Sequence, residues 1–425
     1  MLDFKKKYFP YLIHIFLYVF FIIFAFIQNT PSEILKGLDK IISNSDILIT
    51  DYIYTAGIGA TFVNTSLLGL ISIFLLLILK IEPNGSNIMS LWLITGFGMF
   101  GKNILNVWPI PIGVWLYSKY KGKPFKNYIL TAILGTTLAP TVTQLSLASG
   151  LNFFEGLSIG FIIGIGIGFI LPPITSHSMN IHFGFNLYNV GFAGGIIATA
   201  LMSMLRAIGY NFDANFLWHS GSNELFGIFM IGLSLYFLLI GIFKINNWDK
   251  LKSNLIMINK ETGRIPSDFL KKYGDIAYVN MGLLGIISTI FVLLIKGSLN
   301  GPTMGAIFTM IGFGCFGKNI LNVIPVIIGS SLSAIVNIMK INSPSMVLSI
   351  MFSTGLAPIS GYFGWKYGII AGFLHVSMVM NIGYLHGGLN LYNNGLACGF
   401  VAMLLVPIIS SLSKKTDYSH IIDIK

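Results

Sequence analysis

Apolar runs of about 20 residues, each long enough to cross a hydrocarbon core at ~1.5 Å per residue, recur along the chain between short polar stretches. The first covers residues 8–28. A slightly acidic stretch follows at 29–55, with Glu33, Asp39, Asp46 and Asp51 set against Lys36 and Lys40. A second apolar helix is expected over 57–79. Residues 87–117 are equally apolar but interrupted by clustered glycines and by Pro109 and Pro111, a pattern that predicts two short helices around a break. Further spans are expected over 127–147, broken at Ala139-Pro140, then over 153–170, 188–205 and 225–243. The long polar insert 244–275 carries seven basic and four acidic residues. After it come 276–295, an interrupted segment at 302–339, then 345–363, 368–380 and 391–411.

The second series repeats the first. Gly-Phe-Gly-Met-Phe-Gly-Lys-Asn-Ile-Leu-Asn-Val-Trp-Pro at 96–109 matches Gly-Phe-Gly-Cys-Phe-Gly-Lys-Asn-Ile-Leu-Asn-Val-Ile-Pro at 312–325 in twelve of fourteen positions. Val63-Asn64 with Leu67-Leu68-Gly69 matches Val279-Asn280 with Leu283-Leu284-Gly285. Leu138-Ala139-Pro140 matches Leu356-Ala357-Pro358. His182 with Asn186-Leu187-Tyr188-Asn189 matches His386 with Asn390-Leu391-Tyr392-Asn393. The expected organisation is an N-terminal span and external loop (1–50), a first repeat (51–207), a linking helix and cytoplasmic linker (208–275) and a second repeat (276–425).

Composition fixes the class. The chain is 54% hydrophobic, 10% charged, and has a mean hydropathy of +0.79 over 425 residues. An all-α polytopic membrane protein is expected, with two homologous repeats, each holding a re-entrant or broken-helix hairpin. The net charge of +11 resides mainly in short loops, so it reads as topology rather than nucleic-acid binding. Lys5-Lys6-Lys7, the unopposed Lys119, Lys121, Lys123 and Lys126, the 244–275 insert and Lys414-Lys415 mark the cytoplasmic side. Both termini are then cytoplasmic, and the span count between the two broken segments makes the repeats inverted across the membrane. Cys315 and Cys398 lie in apolar segments without metal-ligand spacing.

The sharpest chemical signal is a lysine among glycines inside each apolar break. A lysine near the bilayer centre costs roughly 2.5–3.5 kcal/mol on insertion scales, and all fifteen acidic residues fall in expected loops or at segment edges. A cation so placed calls for an anion, which a substrate can supply and which helix N-termini would also attract. Lys102, Asn103, Asn106, Lys318, Asn319 and Asn322 are therefore the candidate substrate-binding residues. The competing reading is a lysine snorkelling from a shallow tip or kept neutral by burial, with asparagines that satisfy freed backbone groups. Beside the Leu-Ala-Pro breaks, Thr136, Thr137 and Thr354 are candidates for ion coupling. His182, His386, Asn186 and Asn390 join them, since histidine titrates near neutral pH; a hydrogen-bonded structural histidine is the alternative. Asn189 and Asn393 suit helix N-caps. Gly160, Gly164, Gly168, Gly368 and Gly372 have the spacing of close helix packing. No HExxH motif, Gly-x-Ser-x-Gly elbow or P-loop is present, so neither catalytic nor metal residues are assigned.

The paired Gly-Phe-Gly-x-Phe-Gly-Lys-Asn motif with Asn-Leu-Tyr-Asn resembles an uncharacterised bacterial multipass membrane family built on this duplicated domain, from about Asp51 onward. That resemblance implies no activity. More loosely, the expected architecture is similar to inverted-repeat secondary carriers of carboxylates and other organic anions. The expected function is secondary transport of a small anionic solute across the bacterial inner membrane. No cofactor is expected beyond a coupling Na+ or H+, and the partners are the solute, the lipid bilayer and a homo-oligomer, without nucleic acid. A passive channel for a small solute is the alternative; a membrane-embedded enzyme or a sensor is disfavoured.

Overall fold

The computed structural model describes residues 7–147, 152–212, 215–245 and 247–412. Lys5, Lys6, Lys414 and Lys415, which carry part of the topology expectation, lie outside the described residues. The chain is an all-helical membrane protein of two repeats. Among the described residues, nine helices are long and apolar enough to cross a membrane.

The helices of the two halves correspond in order. The spans α1 (Phe9–Gln28) and α11 (Asn223–Ile245) are followed by amphipathic helices α2 (Pro31–Ser43) and α12 (Trp248–Lys260), each of 13 residues. Five-residue helices α3 (Tyr52–Ala56) and α13 (Phe269–Tyr273) lead into spans α4 (Ile58–Ile78) and α14 (Ile276–Leu294). The correspondence thus reaches upstream of the shared lysine motif and into both polar stretches.

Each interrupted segment is two short helices: α5 (Gly85–Phe97) and α6 (Pro109–Tyr120) in the first repeat, α15 (Gly301–Phe313) and α16 (Ile320–Ile335) in the second. The Leu-Ala-Pro spans are broken as expected. A 3₁₀ turn separates α7 (Ile129–Gly135) from α8 (Ala139–Ser146), and another separates α17 (Pro344–Ser353) from α18 (Ala357–Phe363). Thr136 and Thr354 donate back to the carbonyls of Ile133 and Met351, both at 2.6 Å, satisfying acceptors at the break. Each repeat closes with two long helices: α9 (Phe153–Ile181) and α10 (Asn189–Ala207), then α19 (Trp365–Ile382) and α20 (Asn393–Leu412); α19 is not among the nine apolar enough to cross.

One span differs from the sequence expectation. The helix expected to stop at 170 runs on to Ile181 through Pro172 and Pro173. Two donors are lost there, yet in an apolar surround the helix offers every other backbone group its partner, so it continues.

Contact between the repeats is made by small residues. Helices α5 and α15 cross where a Cβ on Gly305 would lie 2.5 Å from the Gly96 carbonyl oxygen, and a Cβ on Gly96 would lie 2.7 Å from that of Gly305. Helices α10 and α20 meet at Gly191 and Gly395. Within each repeat, Gly168 and Gly372 bring α9 and α19 against the carbonyls of Ile110 and Val326, the packing their spacing suggested.

Candidate functional site

The shape of each break follows from its glycines and asparagines. Gly101 and Gly317 adopt φ of +82° and +97°, a left-handed turn open to glycine at low cost. The amides of Lys102 and Lys318 then fold back to the carbonyls of Phe97 and Phe313 at 3.1 and 3.0 Å. Asn103 and Asn106 exchange side-chain-to-amide hydrogen bonds, each at 2.9 Å, and Asn319 and Asn322 do the same. Asn106 and Asn322 also donate to the carbonyls of Gly101 and Gly317, at 3.1 and 2.9 Å. From the preceding span, Asn64 Nδ2 ties down the Gly98 and Lys102 carbonyls, and Asn280 Nδ2 those of Gly314 and Lys318, at 2.7–2.9 Å. The four motif asparagines therefore hold the break, while the lysine side chains leave it.

Those lysines cross between the repeats. Lys102 Nζ donates to the Tyr392 hydroxyl at 2.9 Å, and Lys318 Nζ to the Tyr188 hydroxyl at 2.7 Å. Lys318 also donates to Thr354 Oγ1 at 2.8 Å and approaches Met310 Sδ at 3.5 Å. Aromatic faces complete the surround: Lys102 lies 5.3 and 4.8 Å from the Phe97 and Tyr392 ring centres, and Lys318 lies 4.9 Å from those of Tyr188 and Phe313. Both lysines are fully buried, and no salt bridge among the described residues involves either. Cation–π and hydroxyl contacts would offset only part of the cost of desolvating an ammonium here, so a charged form of either lysine has no compensating carboxylate among the described residues.

Phe352 joins the two sites, with its ring 5.7 Å from Phe97 and 6.2 Å from Tyr188. A void of about 10 Å³, lined by Phe97, Tyr188, Phe352 and Tyr392 among others, lies between them, about one water in size. Two larger cavities converge on this point from equivalent places in the two repeats. The first, about 430 Å³, reaches Leu48, Ile49, Phe352, Leu391 and Asn394. The second, about 200 Å³, reaches Leu130, Thr131, Leu187, Tyr188 and Tyr392. Phe100, Leu391 and Asn393 in the first correspond by the repeat to Phe316, Leu187 and Asn189 in the second.

The Asn-Leu-Tyr-Asn blocks position the tyrosines. Asn186 Oδ1 accepts from the Tyr188 amide at 2.9 Å, and its Nδ2 reaches across to the Gly395 carbonyl at 2.9 Å. Asn390 does likewise with the Tyr392 amide at 3.3 Å and the Gly191 carbonyl at 3.2 Å. Thr137 donates to Asn390 Oδ1 at 2.7 Å and accepts from the Tyr392 amide at 2.9 Å. Asn189 and Asn393 do not cap their helices as expected: each is the first helical residue rather than the residue before it. Their Oδ1 atoms instead meet His182 Nε2 and His386 Nε2, both at 2.8 Å, which pins the preceding turn to the helix start.

Tyr188 and Tyr392 escaped residue-level attention, although both stood inside a duplicated block. Asp46 was misplaced altogether. Expected in a solvated loop, it is 1% exposed. Its Oδ2 accepts from Asn103 Nδ2, Asn106 Nδ2 and Thr143 Oγ1 at 2.9, 2.9 and 2.8 Å, and its Oδ1 accepts from the Tyr52 hydroxyl. A polar stretch carries no signal for which of its acids folds inward. Among the described residues, no group of three or more His, Cys, Asp or Glu side chains could hold a metal.

A family model described as a protein of unknown function, DUF1576, matches residues 30–207 and 247–411, one segment in each repeat. No curated protein and no solved structure matches the chain.

Proposed function

Because the chain belongs to the DUF1576 family, whose description assigns no activity, function is read from the geometry, and we propose that the protein is a secondary transporter of a small organic anion. The observation that carries this reading is the reciprocal pair Lys102–Tyr392 and Lys318–Tyr188. Two cations without carboxylate partners face each other across the contact between halves, where an anion would supply the missing charge.

Alternating access suits the surrounding space. Of two cavities at repeat-equivalent places, the second ends on Tyr188 and Tyr392 and the first on Phe352 and Leu391 beside them, and the void between is too small for a solute. Occlusion of this kind favours a carrier over an open channel. The paired helices α5/α6 and α15/α16, of 12 to 16 residues, are each about 18–24 Å long at 1.5 Å per residue, short of the ~30 Å core. They are read as re-entrant hairpins, in keeping with the looser similarity to organic-anion carriers. Counting α4, α7/α8, α9, α10 and α11 between equivalent points makes the repeats inverted. The lysines at 119–126 and the basic α12 region then lie in the cytoplasm with both termini. The first cavity becomes the outer vestibule and the second the inner one. Their walls are mainly apolar, so the anion accommodated best carries an apolar body on its charged head.

The test is thermal stabilisation of the detergent-purified protein by a panel of aliphatic and aromatic carboxylates, inorganic anions and neutral solutes. A ligand that binds only the folded state raises its melting point by mass action. The expected result is stabilisation by an organic anion that is lost in Lys102→Ala and Lys318→Ala. Stabilisation by neutral solutes alone, unchanged in both variants, would overturn the proposal.

A further inference from the structure

Asp46 stands at a place where the two repeats differ in chemistry beside the lysine break. Alignment on Asp51 and Asp268, which precede the short helices α3 and α13, puts Gly263 at the position of Asp46. A Cβ there would lie 2.1 Å from the Gly317 carbonyl oxygen, so the second loop packs directly on its break. Asn319 Nδ2 accordingly donates to the backbone carbonyls of Ile258 and Glu261, both at 2.9 Å. In the first repeat a carboxylate takes that place.

The surround of Asp46 is neutral on every side. From the loop side it meets Tyr52, from the break Asn103 and Asn106, and from α8 Thr143; α8 itself carries no titratable residue. Asp39 and Lys40 on α2 and Glu155 on α9 are solvent-exposed. Lys102 Nζ is turned to Tyr392, and the Asp51 carboxylate is engaged by the amides of Ile53 and His219. Tyr52 is thus the titratable side chain that faces Asp46, and among the described residues no cation pairs with the carboxylate. Burial pushes the Asp46 carboxyl up to about 7, opposed by hydrogen bonds from Tyr52, Thr143 and Asn106.

Two structures meet at this carboxylate. Asn103 and Asn106, which shape the break bearing Lys102, are the same amides that hold it. Two residues further on, Leu48 and Ile49 form part of the wall of the 430 Å³ vestibule. We propose that Asp46 is the coupling-proton site, its carboxylate latching the vestibule loop to the first lysine break and its protonated form releasing it. Proton uptake converts an acceptor of four hydrogen bonds into an acid that must itself donate. The Asn103 and Asn106 amides can only donate, so the new proton must go to the Tyr52 or Thr143 hydroxyl and that hydroxyl must give up its own bond to the carboxylate. That mismatch loosens the loop. The assignment of the proton as coupling ion rests on the transporter reading.

The test needs no substrate. In the full chain, the infrared C=O stretch of a protonated carboxyl should appear as pH falls through about 7 and be missing in Asp46→Asn. Thr143→Ala, which removes one donor to the carboxylate, should move that midpoint upward. In a Cys315→Ala, Cys398→Ala background, Leu48→Cys should be labelled by a membrane-impermeant thiol reagent several-fold faster below the midpoint than above it, relative to the exposed control Lys36→Cys. Absence of such a band, a midpoint unmoved by Thr143→Ala, or a labelling ratio flat with pH would overturn the proposal. A titrating Asp46 in a protein that no anion stabilises would instead count against the transporter and leave the proton latch standing.

Discussion

Tyr392 and Tyr188 do the same work for unequally supported lysines. Lys318 has a second oxygen acceptor in Thr354 at 2.8 Å, whereas among the described residues the hydroxyl of Tyr392 is the one side-chain oxygen that accepts from Lys102. Removing the acceptor of a buried donor exposes its full desolvation cost, about 1–3 kcal/mol and more for a charged group. Tyr392→Phe should therefore lower the melting temperature of the purified protein more than Tyr188→Phe does. Equal shifts would mean that the hydroxyl contacts contribute no more than ring packing. Thr354→Ala combined with Tyr188→Phe should bring Lys318 to the state of Lys102 in Tyr392→Phe, with a matching loss. The lysines and their asparagines were legible as a pair of motifs, because charge in an apolar run has few explanations. Their tyrosine partners lie 290 and 130 residues away in sequence, and no local pattern states which aromatic ring of the opposite repeat closes over which cation.

At the scale of elements, the helix breaks were written locally and the crossings were not. Glycine at a positive φ, reciprocal asparagine caps and a Leu-Ala-Pro turn all act within a few residues, so the chain announces them. Gly96 and Gly305 differ: their role is to let α5 and α15 cross with each backbone against the other's carbonyl. Gly305→Ala places a methyl 2.5 Å from a backbone oxygen that cannot rotate away. Forcing such helices apart costs about 1–3 kcal/mol. A clear fall in melting temperature is expected, against a small effect for Gly166→Ala, where a Cβ meets open space. An equal response at both positions would show that the crossing tolerates separation. The same contrast explains the span through Pro172 and Pro173: a proline is a break signal in sequence, but the neighbouring backbone decides whether the helix has anywhere else to go.

For the whole molecule, the proposed inversion makes a prediction about sides. Leu48 belongs to one vestibule and Thr131 to the other, so Leu48→Cys should react with an impermeant thiol reagent applied to intact cells. Thr131→Cys should react only in inverted membrane vesicles. Labelling of both from one side would overturn the inverted arrangement while leaving the duplication intact. Sequence alone determined that this is a helical membrane protein made twice from one plan, with a lysine set in a glycine-rich break of each half. Hydrophobic length and motif identity are properties of consecutive residues, and they survive without knowledge of the fold. Only the tertiary structure decided that each lysine is received by the other repeat, that the motif asparagines hold the break while Asn103 and Asn106 also grip a carboxylate, and that Asp46 is interior. Burial and partnership depend on which distant surfaces meet, and a near-identical lysine motif can meet a carboxylate in one repeat and a bare glycine in the other.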